Sequence, residues 1–125
     1  MTPYDQKTQE VIAEIRNYNV SINREQKLEL FTDGLCENPG AMHIGLFARQ
    51  GNNCLFTRHT FVGHGTCNEA EYIAVKTGLT VLQALYPEPG VPVVVFCDSQ
   101  LVTKQVNNLW KSSGKMRDYC IFLRR

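Results

Sequence analysis

The chain has 125 residues, 43% of them hydrophobic, enough for one domain with a real core and too few for two. Its 13 basic and 12 acidic side chains give a formal net charge of +1, so bulk charge does not declare a polyanionic partner. No stretch approaches the roughly 20 apolar residues that span a bilayer, and Met1 to Glu14 lacks the apolar centre of a signal peptide, so a cytoplasmic protein with no membrane partner is expected.

The first predicted element is an amphipathic helix from Tyr4 to Tyr18, with Tyr4, Thr8, Val11, Ile12, Ile15 and Tyr18 along one stripe that must cover something apolar. Asn17, Asn19, Ser21 and Asn23 break the pattern, and residues 1–26 are expected to form this helix and a linker ahead of a domain at 27–125. A strand is predicted from Lys27 to Asp33, placing Leu28 and Leu30 on one side and Glu29, Phe31 and Asp33 on the other. Asn38-Pro39-Gly40 predicts a tight reversal. Two further strands, Met42 to Arg49 and Cys54 to Val62, flank the hairpin signal Gly51-Asn52-Asn53, so a three-strand antiparallel meander is the simplest product.

Asn68 is the predicted cap of a helix running to Leu85. Its narrow face of Ala70, Ala74, Gly78 and Val81 suits close packing on a sheet. Pro87, Pro89, Gly90 and Pro92 end it. Val93 to Cys97 has no alternation, as in a strand buried on both faces. Helices are expected from Ser99 to Trp110 and, after Ser112-Ser113-Gly114, from Lys115 to Arg125 through Met116, Tyr119, Cys120 and Leu123. A strand that follows a long crossover helix normally runs parallel to an earlier one. If the fourth strand lies beside the first, Asp33 and Asp98 end side by side.

Carboxylates on neighbouring parallel strands repel, and a divalent cation is the simplest means of neutralising them. Glu71, placed in the first turn of the long helix, can reach the same point. Hard oxygen ligands favour Mg²⁺ or Mn²⁺ over zinc. Singly, each acid has a plainer role: Asp33 capping a turn, Glu71 favouring a helix N-terminus, Asp98 capping the next helix. The five cysteines, at 36, 54, 67, 97 and 120, include no Cys-x-x-Cys pair and suit a reducing interior better than a disulfide scaffold or zinc knuckle. Between Lys104 and Arg125, six basic residues face one acid, Asp118. That local excess biases one end toward a polyanion, although a solvated helix face has the same composition.

Three ordered motifs then carry a family resemblance. Phe31-Thr32-Asp33-Gly34-Leu35-Cys36-Glu37-Asn38-Pro39-Gly40, Thr66-Cys67-Asn68-Glu69-Ala70-Glu71-Tyr72 and Phe96-Cys97-Asp98-Ser99-Gln100-Leu101-Val102 resemble those of the ribonuclease H family, in its compact type with an Asn-Glu-Ala-Glu-Tyr motif. The resemblance covers about Leu28 to Arg125. It implies an α/β fold: a mixed sheet of three antiparallel strands and a parallel fourth, flanked by helices, with the family's C-terminal strand and helix absent. It implies Asp33, Glu71 and Asp98 as metal ligands and catalytic residues, with Mg²⁺ (or Mn²⁺) as cofactor. It places Gly34, Cys36, Asn38, Asn68 and Gln100 where the family contacts an RNA–DNA hybrid, whose 2′-hydroxyls distinguish RNA from DNA. Lys104, Trp110, Lys111 and Lys115 resemble the basic region that holds the DNA strand.

The implied activity is two-metal hydrolysis of the RNA strand. A second reading is a shortened homologue that binds nucleic acid or a protein with little or no cleavage, and a third is a nuclease of other substrate preference. Leu35 stands where the family commonly has Ser or Ala, and Cys67 replaces the first Asn of a usual pair. The family's catalytic-histidine loop and fourth carboxylate are expected to be missing, and Asp118 is no homologous substitute. The N-terminal helix is then expected to cover surface left by the missing last helix, in its own chain or in a homodimer, with Glu10 and Glu14 facing solvent more readily than the metal site.

Overall fold

The computed structural model describes residues 3–16, 20–37, 40–87, 91–97 and 119–123. Helix α1 (Pro3–Ile15) leads into strands β1 (Leu28–Glu37), β2 (Ala41–Gln50) and β3 (Asn53–His64), helix α2 (Cys67–Leu85), and strands β4 (Val93–Cys97) and β5 (Tyr119–Leu123). These strands form one sheet in the order β3-β2-β1-β4-β5. The meander β1–β2–β3 is antiparallel, with Asp33 opposite Gly45 and Gly45 opposite His59. Strand β4 runs parallel to β1, from Leu28↔Val93 to Phe31↔Phe96. The expected ribonuclease H-like mixed sheet, three antiparallel strands and a parallel fourth, is therefore present.

One element at the C-terminal end differs from its sequence reading. Tyr119 to Leu123, expected within a helix, pairs parallel to β4 from Val93↔Tyr119 to Cys97↔Leu123, and so supplies a fifth strand where none was anticipated. Apolar residues at 116, 119, 120 and 123 fit a helical stripe, but Tyr-Cys-Ile-Phe-Leu is also a continuous five-residue apolar run. Periodicity cannot separate the two in so short a segment. The open edge of β4, with unpaired backbone groups along it, is the tertiary factor that favours the strand. The helices expected at Ser99–Trp110 and over Lys115–Asp118 lie outside the described residues.

Helix α2 covers one face of the sheet. Its small residues do what the sequence suggested: Ala70, Ala74, Gly78 and Val81 are buried, and a Cβ on Gly78 would sit 2.8 Å from a Leu30 methyl. Opposite lie Leu28, Leu30, Met42, Ile44, Leu46 and Ala48, all buried. In β4, Val93, Val95 and Cys97 share that core, while Val94 and Phe96 are only half-buried, so the other face of this strand is less enclosed than its unbroken apolar run suggests.

Helix α1 joins the same core. Val11, Ile12 and Ile15 are buried, Thr8 bonds to Thr77 of α2 at 3.5 Å, and the Arg58 guanidinium of β3 holds Glu14 at 2.5 Å. Among the described residues of the apolar stripe, Thr8, Val11, Ile12 and Ile15 are thus buried within their own chain. Residue Glu10 pairs with Lys7 at 3.6 Å. The segment before β1 is tied down by the buried Gln50, whose amide donates to the Asn23 and Gln26 carbonyls at 2.6 and 2.9 Å and whose oxygen accepts from the Asn23 amide at 2.7 Å. The Tyr86 hydroxyl adds a bond to the Val20 carbonyl at 2.7 Å, and burial raises the pKa of this phenol.

Candidate functional site at the junction of the first strand and the second helix

Strand β1 runs four residues beyond the predicted end, to Glu37, and its last half passes directly under the start of α2. The contact is made by backbone. A Cβ on Gly34 would lie 2.4 Å from both the Ala70 carbonyl carbon and the Glu71 nitrogen, a distance no side chain tolerates. Residue 34 is a glycine because strand and helix touch here. Immediately before it, Asp33 is exposed. Alternation along the strand directs Asp33 to the face opposite α2, beside Gly45, whose hypothetical Cβ would be 3.9 Å from the Asp33 Cβ. Glu71, half-buried, is the fifth residue of α2, one position beyond the first turn in which sequence placed it.

The helix start is fixed by a reciprocal cap, and its cap is Thr66 in place of the expected Asn68. The Thr66 hydroxyl accepts from the Glu69 amide at 3.1 Å, and the Glu69 carboxylate accepts from the Thr66 amide at 3.4 Å. This is the Ser/Thr-x-x-Glu box, legible as Thr66-Cys67-Asn68-Glu69. Asn68 is left exposed inside the first turn, with its side chain released from capping. Further ties hold β1 in place. The Thr32 hydroxyl, fully buried, donates to the Phe96 carbonyl of β4 at 3.4 Å, the Gly65 amide donates to the Gly40 carbonyl at 2.8 Å, and the Cys36 thiol donates to the Gly65 carbonyl at 3.1 Å. Burial raises the Cys36 pKa, with the neighbouring Cys67 thiol and the Glu69 charge adding to it.

The sheet face opposite α2 carries aromatic side chains that the sequence reading did not single out. Phe31 stacks on Phe96 at 4.7 Å and meets Phe47 at 5.8 Å, and the Arg49 guanidinium lies 5.0 Å over Phe31. His43 and His59 stack at 5.6 Å. Among the described residues, Leu35, Phe47 and Phe61 are the exposed large apolar ones. Phe31, Phe47 and Phe61 alternate with buried residues in their strands, which was the available signal.

Of the residues named from sequence, the structure brings Asp33, Gly34, Cys36, Asn68 and Glu71 to one corner. Asn38, Asp98, Gln100, Lys104, Trp110, Lys111 and Lys115 lie outside the described residues. Asp98 follows Cys97, the last residue of β4. Among the described residues no group of three or more His, Cys, Asp or Glu side chains converges as a metal site, and no helix is long and apolar enough to cross a membrane.

Comparison with solved structures gives the same architecture. LC11-RNase H1, isolated from compost by a metagenomic approach and solved with an RNA/DNA hybrid, superposes with a TM-score of 0.65 at 23% identity, covering 78% of this chain and 85% of that one. The N-terminal RNase H domain of rv2228c from Mycobacterium tuberculosis gives 0.65 at 20% identity, covering 79% and 82%. RNase H1 from the archaeon Halobacterium salinarum gives 0.60 at 20%, covering 78% and 85%. No curated protein gives a significant sequence match. The reverse transcriptase-like family matches residues 32–124, from the strand bearing Asp33 through β5, and the chain belongs to that family, with a ribonuclease H-like fold.

Proposed function

We propose that the chain binds nucleic acid of the RNA–DNA hybrid class at the corner where β1 meets α2. The observation that carries this is the backbone contact of Gly34 with Ala70 and Glu71, which gathers Asp33, Cys36, Asn68 and Glu71 on a fold whose solved relative LC11-RNase H1 holds an RNA/DNA hybrid. The Asn68-Glu69-Ala70-Glu71-Tyr72 stretch supports a place in the compact ribonuclease H type. Exposed Asn68 offers both donor and acceptor to a 2′-hydroxyl or a base edge. Asn38 and Gln100 are assigned to the same surface by resemblance, as are Lys104, Trp110, Lys111 and Lys115 to the phosphates of the DNA strand.

Cleavage is a second reading, favoured by the two hard carboxylates at this corner. Asp33 and Glu71, with Asp98 as the third ligand by resemblance, fit Mg²⁺ or Mn²⁺ in donor chemistry. A bound divalent cation would supply an activated water and neutralise charge at the scissile phosphate. Asp33, being exposed, would meet the substrate without a change of fold. The described residues supply two of these acids, so binding is the better-supported reading and hydrolysis the more demanding one.

The test is binding and cleavage of matched RNA–DNA hybrid, double-stranded RNA and double-stranded DNA, with Mg²⁺ or Mn²⁺, beside Asp33→Asn. Preferential hybrid binding that weakens with salt is the expected outcome. Equal, weak binding of all three duplexes would overturn the proposal. Hybrid cleavage lost in Asp33→Asn would establish the second reading.

A further inference from the structure

Two cysteines meet at this corner although they stand far apart in sequence. Cys36 is the penultimate residue of β1 and Cys67 is the first residue of α2. The Cys36 thiol donates to the carbonyl of Gly65, two residues before Cys67, at 3.1 Å. The Cys67 thiol is near enough to Cys36 to contribute to its raised pKa. Local backbone is held on both sides: Gly34 abuts Ala70 and Glu71, the capping box fixes residues 66–69, and the Gly65 amide bonds to the Gly40 carbonyl. The pair is thus presented by two elements that cannot readily separate. Cys67 is exposed and Cys36 half-buried, while Cys97 is buried in the core.

We infer that Cys36 and Cys67 form an intramolecular disulfide site, which closes by exchange with a low-molecular-weight disulfide such as oxidised glutathione and alters the adjoining nucleic-acid surface. The exposed Cys67, as thiolate, attacks one sulfur of the oxidant and releases one glutathione thiolate, giving a mixed disulfide. The Cys36 thiolate then attacks the Cys67 sulfur, the mixed S–S bond breaks, and the second glutathione leaves. Two electrons pass from the protein dithiol to the oxidant, and the two thiol protons end on the two glutathiones. A raised Cys36 pKa makes the closing step faster at alkaline pH. In the disulfide, Cys36 no longer donates to Gly65, and the sulfurs are drawn to bonding distance between β1 and the first turn of α2. The consequence for binding rests on the nucleic-acid reading above; formation of the bond does not.

The experiment treats the folded full chain with oxidised glutathione, blocks remaining thiols, and reads intact mass and proteolytic peptides. A crosslinked peptide joining Cys36 to Cys67, with a loss of about 2 Da per chain as two thiol hydrogens leave, is the expected result. Cys67→Ser should abolish it, and Cys54→Ser should not. Glutathione remaining on Cys67, or crosslinks through other cysteines, would overturn the assignment. Hybrid affinity is measured in parallel: the oxidised chain should bind at least about tenfold more weakly, recover with reductant, and show no redox response in Cys67→Ser. Unchanged affinity in a chain shown to carry the bond would overturn the effect on binding. A reduced chain that binds no hybrid would instead refute the function proposed above, with the mass readout still deciding the disulfide.

Discussion

Replacing Gly34 with alanine puts a methyl group where the helix backbone already is. The added Cβ would lie 2.4 Å from the Ala70 carbonyl carbon and the Glu71 nitrogen and 2.7 Å from the Ala70 oxygen, so α2 and β1 must part by about 1 Å to restore ordinary contact. Neither side yields by rotating a side chain. The helix is anchored through buried Ala70, Ala74 and Val81, and the strand through Leu30 and Thr32. Overpacking of this kind costs about 1–3 kcal/mol, and the upper part of that range is expected because both partners are backbone. With a urea slope of about 1–3 kcal/mol per M, the unfolding midpoint should fall by about 1 M, read by far-ultraviolet circular dichroism. Gly45→Ala is the matched control: its Cβ would meet nothing closer than 3.9 Å, and stability should hold or rise slightly. A Gly34→Ala midpoint equal to that of Gly45→Ala would refute the account of why strand and helix meet here.

Two further expectations follow from the caps and ties. Thr66→Ala removes the hydroxyl that receives the Glu69 amide and should lower stability by about 1 kcal/mol, measured by urea titration, whereas Asn68→Ala, no cap in the structure, should leave it nearly unchanged. For Tyr86, burial raises the folded pKa above the ordinary value of 10.0, so above that pH the unfolded chain gives up its proton first. Stability is then full below pH 10 and falls as pH climbs toward the raised folded value. Tyr86→Phe should flatten this alkaline slope while losing the bond to the Val20 carbonyl; an unaltered slope would exclude Tyr86 as its source.

The meander, the crossover helix and the parallel strand were legible because each carries a local rule: alternation in Leu28 to Asp33, Gly51-Asn52 at the hairpin, small residues on one face of α2. The helix boundary was not: the expectation put the cap at Asn68, two residues beyond Thr66. What chose Thr66 is the three-residue spacing to Glu69, which satisfies two backbone donors at once. The segment Tyr119 to Leu123 was not legible by any local rule, since five apolar residues suit a buried strand or a helix face alike; only the free edge of β4 decides. The candidate site divides in the same way. Asp33 and Glu71 were named from motif and spacing. Gly34 was named from its motif too, but its 2.4 Å contact with the backbone of α2 is a tertiary fact that no local pattern discloses. The cysteine pair was hidden for the converse reason: Cys36 and Cys67 are remote in sequence, and only the strand–helix contact makes them neighbours.

That contact also bears on the proposal that Glu71 and Asp33 hold one metal ion together. Alternation sends Asp33 to the sheet face away from α2, while Glu71 belongs to the helix on the other face. For the two carboxylates to meet at one ion across this contact, the length of the Glu71 side chain is decisive. Glu71→Asp keeps the charge and shortens the side chain by one methylene, about 1.5 Å. Because Mg²⁺ demands near-ideal octahedral ligands at about 2.0–2.1 Å, such a shortfall should weaken its binding at least about tenfold, whereas a purely electrostatic role for Glu71 would leave the affinity almost intact. Titration calorimetry with Mg²⁺ and Mn²⁺ on the native chain, Glu71→Asp and Glu71→Gln separates these cases. If Glu71→Asp binds both ions as the native chain does while Glu71→Gln does not, Glu71 acts by charge alone and is not a ligand.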